Sequence, residues 1–275
     1  MRVHHLNCAT LCPLGGHLVN GDGAPFERAR LVCHCLLVET SDGLALVDTG
    51  LGESDVLGRR GVVWDKRLRL MGARLAREET AVQQLARLGF SPDEVRHVVL
   101  THLDFDHAGA LDDFPRAEVH VLAREHEAAM CRRTWHERMR YRPETWAHRP
   151  RWVLHHPDQG ERWFGFEAVR RISGLPPELL LVPLAGHTRG HAGVAVDTPD
   201  GWLLHAGDAY FFHGEVDPAR PRCTPGLDAF QRLMAHDDHA RRHNQARLRE
   251  LVRDQGAGVR VFCAHDPTEL ERAGG

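Results

Sequence analysis

The chain has 275 residues, of which 42% are hydrophobic and 27% charged, and its formal net charge is -3 at pH 7. These values are typical of a globular protein with a substantial core, and they exclude disordered and collagen-like chains. The slightly acidic balance provides no general attraction to nucleic acid or to a membrane surface. No stretch approaches the roughly 20 apolar residues of a membrane span.

The composition is unusual in its 21 histidines, which are spread from His4 to His265 with no run longer than two. This spread excludes a purification tag or a metal-buffering tract, so we expect some histidines to be ligands that the fold brings together. The seven cysteines form no zinc-finger spacing, and the start of the chain carries no recognisable secretory signal. We therefore expect a cytoplasmic protein with reduced thiols.

Taken in chain order, the predicted elements alternate between strands and helices. Strand patterns cover residues 31–39 and 44–47 (a hairpin), 98–100, 119–122, 179–184, 194–208 (a second hairpin) and 259–263. Helical patterns cover 79–88, a helix start at Ser91, 124–130 and a C-terminal segment that includes 236–243. A shift from Val38 to Val196 aligns the turns of the two hairpins. The alternation predicts an α/β protein, and the paired hairpins indicate two similar halves.

Residues 131–170 show no clean period but contain four of the six tryptophans and many arginines. We interpret them as a helical or irregular cap-like insertion within a single domain that spans residues 1–275. As one wall of a substrate pocket, this segment would offer Trp146, Trp152 and Arg149. Simple packing of the tryptophans and solvent exposure of the arginine are the alternatives left open.

The most informative segment is HLDFDHAG, residues 102–109, directly after a predicted strand. It holds four potential metal ligands: His102, Asp104, Asp106 and His107. Three later segments also follow strands, and they read GHTRGH, GDA and AHDP; they contain His187, His191, Asp208 and His265. Imidazoles and carboxylates flanked by small residues are what a dinuclear metal site requires.

Together these segments resemble the metallo-β-lactamase superfamily, whose motifs are HxHxDH, GHTxGH, GDA and a final histidine. The resemblance extends from the LVDTG at residues 46–50 to His265, and it implies a four-layer αββα sandwich of two similar halves. It implies two divalent metal ions, with Asp208 bridging them. One ion would take His102, His187 and the residue at position 104, and the other would take Asp106, His107 and His265. His191 and Asp48 would support the ligands through hydrogen bonds.

Asp104 stands where the family has its second histidine. Three aspartate ligands and a bridging hydroxide carry a formal charge of about -4, which cancels two divalent cations and makes the site harder. Zinc remains the first expectation, but this carboxylate favours iron or manganese as alternatives. Another alternative is that Asp104 is no ligand and that only one metal ion binds tightly.

The segment HLDFDHAGA is close to the lactonase form HLHFDHAGG. The resemblance therefore implies a hydrolase that uses a metal-bound hydroxide on a lactone or another carboxylic ester. Asp106 or Asp208 would relay the proton, and Tyr210 would donate a hydrogen bond to the oxyanion, unless it only packs against its phenylalanine neighbours. His213 is a further candidate for the pocket.

Two other activities of the same fold stay open at this point. Asp104 supports a non-haem iron oxidoreductase or dioxygenase, whereas the acidic net charge argues against a phosphodiesterase that acts on nucleic acid. We expect a small-molecule substrate, no nucleic-acid partner and no membrane association. A homodimer is left open as the assembly.

Overall fold

The computed structural model describes residues 1–24, 26–156 and 160–274, with the side chains of 167–170 left aside. The strands in these residues are β1 (Arg2–Leu11), β2 (Leu31–Thr40), β3 (Gly43–Val47), β4 (Ala73–Arg74), β5 (Val95–Val99), β6 (Glu118–Leu122), β7 (Arg151–His155), β8 (Glu161–Trp163), β9 (Phe166–Arg171), β10 (Leu179–Pro183), β11 (Ala192–Thr198), β12 (Gly201–His205) and β13 (Val259–Phe262). They form a seven-stranded sheet in the order β4-β1-β2-β3-β5-β6-β7 and a six-stranded sheet in the order β13-β12-β11-β10-β9-β8.

Helices cover the outer faces of the two sheets. They are α1 (Gly16–Asn20), α2 (Glu53–Val56), α3 (Val62–Leu70), α4 (Ala81–Arg87), α5 (Phe105–Ala108), α6 (Ala123–Cys131), α7 (Trp135–Arg140), α8 (Pro225–Met234), α9 (Asp238–Gln255) and α10 (Pro267–Arg272). None of the helices in the described residues combines the length and the apolarity needed to cross a membrane.

The core is divided into layers, which confirms the αββα sandwich. One cluster of buried side chains lies between the two sheets and includes Val38 of β2 and Val196 of β11. A second cluster joins the first sheet to Leu85 of α4 and to α6. A third joins the second sheet to Leu248 and Leu251 of α9. Each sheet therefore buries both faces, which explains why the strands read as continuous apolar runs.

The two hairpins have the same register. Val38 pairs with Ala45 in the first, and Val196 pairs with Leu203 in the second. In each turn a threonine hydroxyl donates a 2.7 Å hydrogen bond to the carbonyl of the glycine three residues later. The last strand of each hairpin then pairs in parallel with a strand from later in the same half, β5 or β13. This equivalence supports the two similar halves that the sequence indicated.

The structure differs from the predicted elements at several points. The long strand β1 was not predicted because its sequence, RVHHLNCATL, does not alternate cleanly between apolar and polar residues. The capping box at Ser91 and Glu94 is present, but it starts only a single 3-10 turn. That turn ends at Glu94 because Val95 already belongs to β5.

The first half of segment 131–170 contains α7 and a 3-10 turn at Pro143–Trp146. The second half supplies β7, which pairs in parallel with β6, and β8 and β9, which form one edge of the second sheet. Residues 157–159, in the same segment, lie outside the described residues. Most side chains of β7 are exposed or half-exposed, so the strand has no apolar alternation that would reveal it.

Three histidines form a row of neighbouring rings on adjacent strands of the first sheet. The Nδ1 atom of His97 lies 2.9 Å from Nε2 of His120, and Nδ1 of His120 lies 3.1 Å from Nε2 of His155. Burial, together with the neighbouring histidines, lowers the pKa of His120 to about 3. Burial also lowers the pKa of His97. His97 and His120 are therefore neutral in the folded protein at neutral pH.

This row should make the free energy of unfolding fall as the pH drops below about 6.5, the pKa of an unperturbed histidine. Between that pH and about 3, the unfolded chain protonates His120 while the folded protein does not, which costs about 1.4 kcal/mol per pH unit. Urea unfolding of the metal-free protein between pH 7.5 and pH 5 measures the slope. His120→Gln should reduce that slope by about one proton, and equal slopes in the two proteins would contradict the assignment.

Candidate metal centre

Four loops at one edge of the sandwich carry the predicted ligands. They follow β5, β10, β12 and β13, and the two parallel strand pairs β3–β5 and β12–β13 direct their carboxyl ends to this edge. In the first loop, α5 is a single turn that begins after Asp104. The structure brings together all seven residues predicted as ligands, and their side chains are buried: His102, Asp104, Asp106, His107, His187, Asp208 and His265.

The first group of ligand atoms consists of His102 Nε2, Asp104 Oδ2, His187 Nε2 and Asp208 Oδ2. Asp104 Oδ2 lies 3.3 Å from His102 Nε2 and 3.1 Å from His187 Nε2. Asp208 Oδ2 lies 3.7 Å and 3.3 Å from the same two nitrogens. Four ligands at about 2.0–2.1 Å from a central ion lie about 3.3 Å apart in a tetrahedron, so these spacings fit a metal ion. The buried Nε2 atom of His102 has no hydrogen-bond partner among the described residues, which also fits.

The second group lies around the other oxygen of Asp208. Asp208 Oδ1 is 3.2 Å from His107 Nε2 and 3.1 Å from His265 Nε2, and the two nitrogens are 3.3 Å apart. Asp106 Oδ2 is 3.7 Å from His265 Nε2. His107, Asp208 and His265 therefore also fit a metal ion, and Asp106 lies beside them. The carboxylate of Asp208 therefore has one oxygen in each group.

Hydrogen bonds orient the histidines of the second group. The Nδ1 atom of His107 lies 2.8 Å from Asp48 Oδ2, and Nδ1 of His265 lies 2.7 Å from the carbonyl oxygen of Val32. Asp48 also accepts hydrogen bonds from the backbone N–H and the hydroxyl of Thr101. Its backbone has a left-handed φ of 54°, which costs an aspartate energy and shows that these contacts hold it firmly. With Nδ1 occupied, each imidazole directs Nε2 into the site.

His191 contacts the centre through Asp208. Its Nδ1 atom lies 3.0 Å from the carbonyl oxygen of Leu184, and its Nε2 atom accepts a 2.8 Å hydrogen bond from the backbone N–H of Asp208. Both ring nitrogens are thus used, so His191 has none left for a metal ion. It fixes the backbone of the aspartate that the two groups share.

Glu125 of α6 links the two loops of the first group, and it was missed in the sequence. Its fully buried carboxylate accepts hydrogen bonds from the backbone N–H groups of Leu103 and Gly190 and from the hydroxyls of Thr188 and Tyr141. Gly190 permits this close approach, because a Cβ atom there would lie 2.2 Å from the backbone nitrogen of Glu125. No pattern around position 125 distinguishes this glutamate from a solvent-facing helical residue.

Arg140, the last residue of α7, is the second residue that the sequence did not reveal. Its side chain is 9% exposed, and its Nη1 atom lies 2.8 Å from Asp104 Oδ2 and 2.9 Å from His187 Nε2. Its Nη2 atom donates to the carbonyl oxygen of Met234. A useful signal was the capping box of Thr134 and Glu137, which starts α7 and so places Arg140 in its last turn.

The electrostatics of the centre favour cations. Burial opposes the ionisation of Asp104, but the guanidinium of Arg140 and the imidazole of His102 hold the pKa of Asp104 well below its usual range. Burial would lower the pKa of His107, but Asp208 and Asp48 raise it well above the usual value. Carboxylates thus outweigh burial around His107, whereas burial and the guanidinium of Arg140 lower the pKa of His187 to about 4.

Tyr210 does not face the centre, contrary to the sequence prediction. Its side chain is fully buried in the core of the second half, and its hydroxyl donates a 2.9 Å hydrogen bond to Glu269. Position alone was misleading here, because the two residues that follow Asp208 already turn back into the core. The hydroxyl is therefore not available to a substrate oxyanion.

The predicted pocket residues also lie apart from the ligands. Trp146 is buried in the core of the first half, and Trp152 packs against the same core and against His126. Arg149 is exposed. The two tryptophans therefore stabilise the fold, and Arg149 faces solvent; both were the alternatives left open in the sequence. His213 is closer, because its Nδ1 atom lies 2.8 Å from the carboxylate of Asp266, the residue after a ligand.

Comparisons with known proteins identify the family of this chain. The family model described as the metallo-beta-lactamase superfamily matches residues 28–265. A probable metallo-hydrolase of Mycobacterium tuberculosis is 42% identical over 269 residues, which are 97% of this chain and 81% of the relative. An N-acyl homoserine lactonase of Bacillus thuringiensis is 27% identical over 190 residues, 68% of this chain and 67% of the lactonase.

Solved structures share the fold. An N-acyl homoserine lactone hydrolase, with the product N-hexanoyl-L-homoserine bound at its catalytic metal centre, superposes with a TM-score of 0.69 at 23% identity. The match covers 98% of this chain and 95% of that one. The chain belongs to the metallo-β-lactamase superfamily. Within that class it is a metal-dependent hydrolase, which is the activity that its mycobacterial relative also carries in its name.

Asp48→Asn should weaken metal binding by about 10- to 100-fold, because the loss of a carboxylate behind a ligating histidine makes that histidine a poorer ligand. Competition with a chromophoric chelator measures the affinity. Asp42→Asn, in the exposed turn of the first hairpin, is the matched control and should leave it unchanged. Equal affinities for Asp48→Asn and the unmodified protein would show that Asp48 does not support His107.

Proposed function

We propose that the protein hydrolyses lactones or related carboxylic esters at a centre of two divalent metal ions, with zinc as the expected metal. The observation that carries this proposal is the shared carboxylate of Asp208, whose two oxygens face two separate groups of imidazoles 3.1–3.7 Å away. A bridging aspartate between two histidine-containing groups is suited to hold two ions close together.

One ion would be held by His102, Asp104 and His187, the other by Asp106, His107 and His265, and Asp208 would belong to both. When bound, such ions lower the pKa of a water molecule, so that a hydroxide is present near neutral pH, and they polarise a carbonyl group. The protein contributes the fixed orientation of the ligands through Asp48, Glu125 and His191. It also contributes a buried site, in which electrostatic interactions are strong.

Asp106 is the better placed of the two proposed proton relays. Both oxygens of Asp208 lie 3.1–3.7 Å from two imidazole nitrogens each, whereas Asp106 approaches its nearest imidazoles, those of His265 and His107, only to 3.7 and 4.0 Å. A carboxylate with a less engaged oxygen is free to accept a proton from water and to deliver it to the leaving alcohol.

An aromatic surface beside the second group suits an apolar substrate. The ring of Phe211 stacks on the imidazole of His265 at 4.9 Å between centroids. Phe230 packs edge-on against Phe211 and remains 42% exposed. An acyl or alkyl chain attached to the reacting ester has an apolar surface to contact here. The lactonase relatives support this substrate class.

The oxidoreductase alternative depended on the formal charge of Asp104, and Arg140 changes that charge balance. A carboxylate paired with a guanidinium at 2.8 Å is together neutral, as a histidine would be. Two divalent ions with three aspartates and a hydroxide sum to zero, and Arg140 restores a net charge of about +1. The charge argument for iron thereby loses its force, and the hydrolase is favoured.

His107→Ala and His265→Ala should each remove metal and hydrolysis together, because each variant deletes a ligand of the second group. Metal content by mass spectrometry and rates on a panel of γ-lactones, aryl esters and phosphodiesters measure both. His239→Ala, an exposed histidine of α9, is the control and should retain both. Full hydrolysis by a variant that has lost its metal would defeat the proposal, as would iron content with oxygen uptake in the unmodified protein.

Asp104→His should raise the affinity for zinc relative to manganese, because an imidazole nitrogen replaces a hard carboxylate oxygen in the first group. Competitive loading with the two ions, followed by metal analysis, gives the ratio. If the ratio and the total metal content both stay the same, Asp104 is not a ligand.

A further inference from the structure

Two hydrogen-bond partners of Arg140, Asp104 and His187, belong to the first group of ligand atoms. Its Nη1 atom carries two hydrogens, and it lies within hydrogen-bond distance of both Asp104 Oδ2 and His187 Nε2. An unprotonated imidazole nitrogen has one lone pair. His187 Nε2 can therefore accept the hydrogen from Arg140 or bind a metal ion, but it cannot do both.

Metal binding by His187 would thus release one N–H of Arg140 without releasing the residue itself. Asp104 still accepts from Nη1, and the carbonyl of Met234 still accepts from Nη2. The next residue, Tyr141, donates to Glu125, which also accepts from the loop between His102 and Asp104. These contacts keep the guanidinium beside the first group of ligand atoms. A buried donor without an acceptor costs about 1–3 kcal/mol. Two acceptors can take this hydrogen: the buried Oδ1 atom of Asp104, which has no hydrogen-bond partner among the described residues, or an oxygen of the substrate.

We propose that Arg140 is a catalytic residue that donates this hydrogen bond to the carbonyl oxygen of the substrate as it becomes negatively charged. The inference rests on the proposed ester hydrolysis, and it gives Arg140 the role that the sequence suggested for Tyr210. A guanidinium is suited to this role, because its planar fork binds Asp104 and Met234 while a further N–H points elsewhere.

The reaction balances with water as the only co-reactant. The oxygen of water bonds to the carbonyl carbon, the carbonyl electron pair moves to its oxygen, and that oxygen accepts the hydrogen bond from Arg140. The bond between this carbon and the ring oxygen then breaks. A proton from the water, relayed by Asp106, goes to the departing oxygen, and the product is a hydroxy acid. Arg140 loses no proton at any step.

Arg140→Met tests the proposal, because methionine keeps an apolar stem and removes every donor. Arg140→Lys keeps the charge but not the planar fork. Arg138→Met is the matched control, since Arg138 lies in the same helix and is exposed. With metal-loaded protein and γ-nonalactone as substrate, kcat should fall about 10²- to 10³-fold in Arg140→Met, as for other oxyanion donors. Arg140→Lys should recover only part of that loss, and KM should change little.

Two further measurements do not depend on activity. Metal titration of Arg140→Met should give the same number of ions as the unmodified protein, bound more tightly, because a neighbouring positive charge is gone. Calorimetric titration with 4-hydroxynonanoate, the ring-opened product, should show about 10- to 100-fold weaker binding in Arg140→Met, as expected for the loss of a charged hydrogen bond. Arg138→Met should match the unmodified protein in both.

The outcomes separate this inference from the proposed function. If Arg140→Met loses metal, or binds the product as tightly as the unmodified protein, Arg140 only supports Asp104 and the inference is wrong. If the unmodified protein hydrolyses no ester, the proposed function fails. Weaker binding of 4-hydroxynonanoate to Arg140→Met than to the unmodified protein would still show that Arg140 contacts an oxygen of the bound molecule.

Discussion

The carboxylate of Glu125 is the constraint on which the first ligand group depends. It is fully buried, and its four hydrogen bonds come from three separate segments: the HLDFDH loop, the GHTRGH loop and the residue after Arg140. A buried carboxylate with four donors fixes those donors more firmly than apolar packing does, because each bond has a preferred direction. The positions of the candidate ligand atoms are therefore fixed by groups that are not themselves ligands.

The pairing of Asp104 with Arg140 sets the charge of the first ligand group. A lone carboxylate in place of a neutral imidazole would change the charge of the whole centre. The guanidinium compensates it at 2.8 Å. The charge of Asp104 is thus balanced between two elements of the fold, the loop after β5 and the end of α7. The chemical character of the site belongs to the pair and not to either residue alone.

Sequence reasoning succeeded where a local pattern determined the structure. The clustering of the candidate ligands was predictable because each follows a strand, and strand ends meet at one edge of the sandwich. Arg140 and Glu125 were not predictable, because they reach the centre only through tertiary contacts. Tyr210 shows the opposite error, since closeness to Asp208 in sequence says nothing about which way the side chain points. The strand β7 was missed because its half-exposed edge position leaves no periodic pattern.

The duplicated hairpins have a mechanical consequence for the protein. Each proposed ion would take ligands from both halves, since His102 and His107 come from the first, and His187 and His265 from the second. The two ions would cross-link the halves at their interface. Free metal at about a thousand times its dissociation constant would add about 4 kcal/mol to the stability of the joined state. Removal of the ions by a chelator would then weaken the association of the two similar halves.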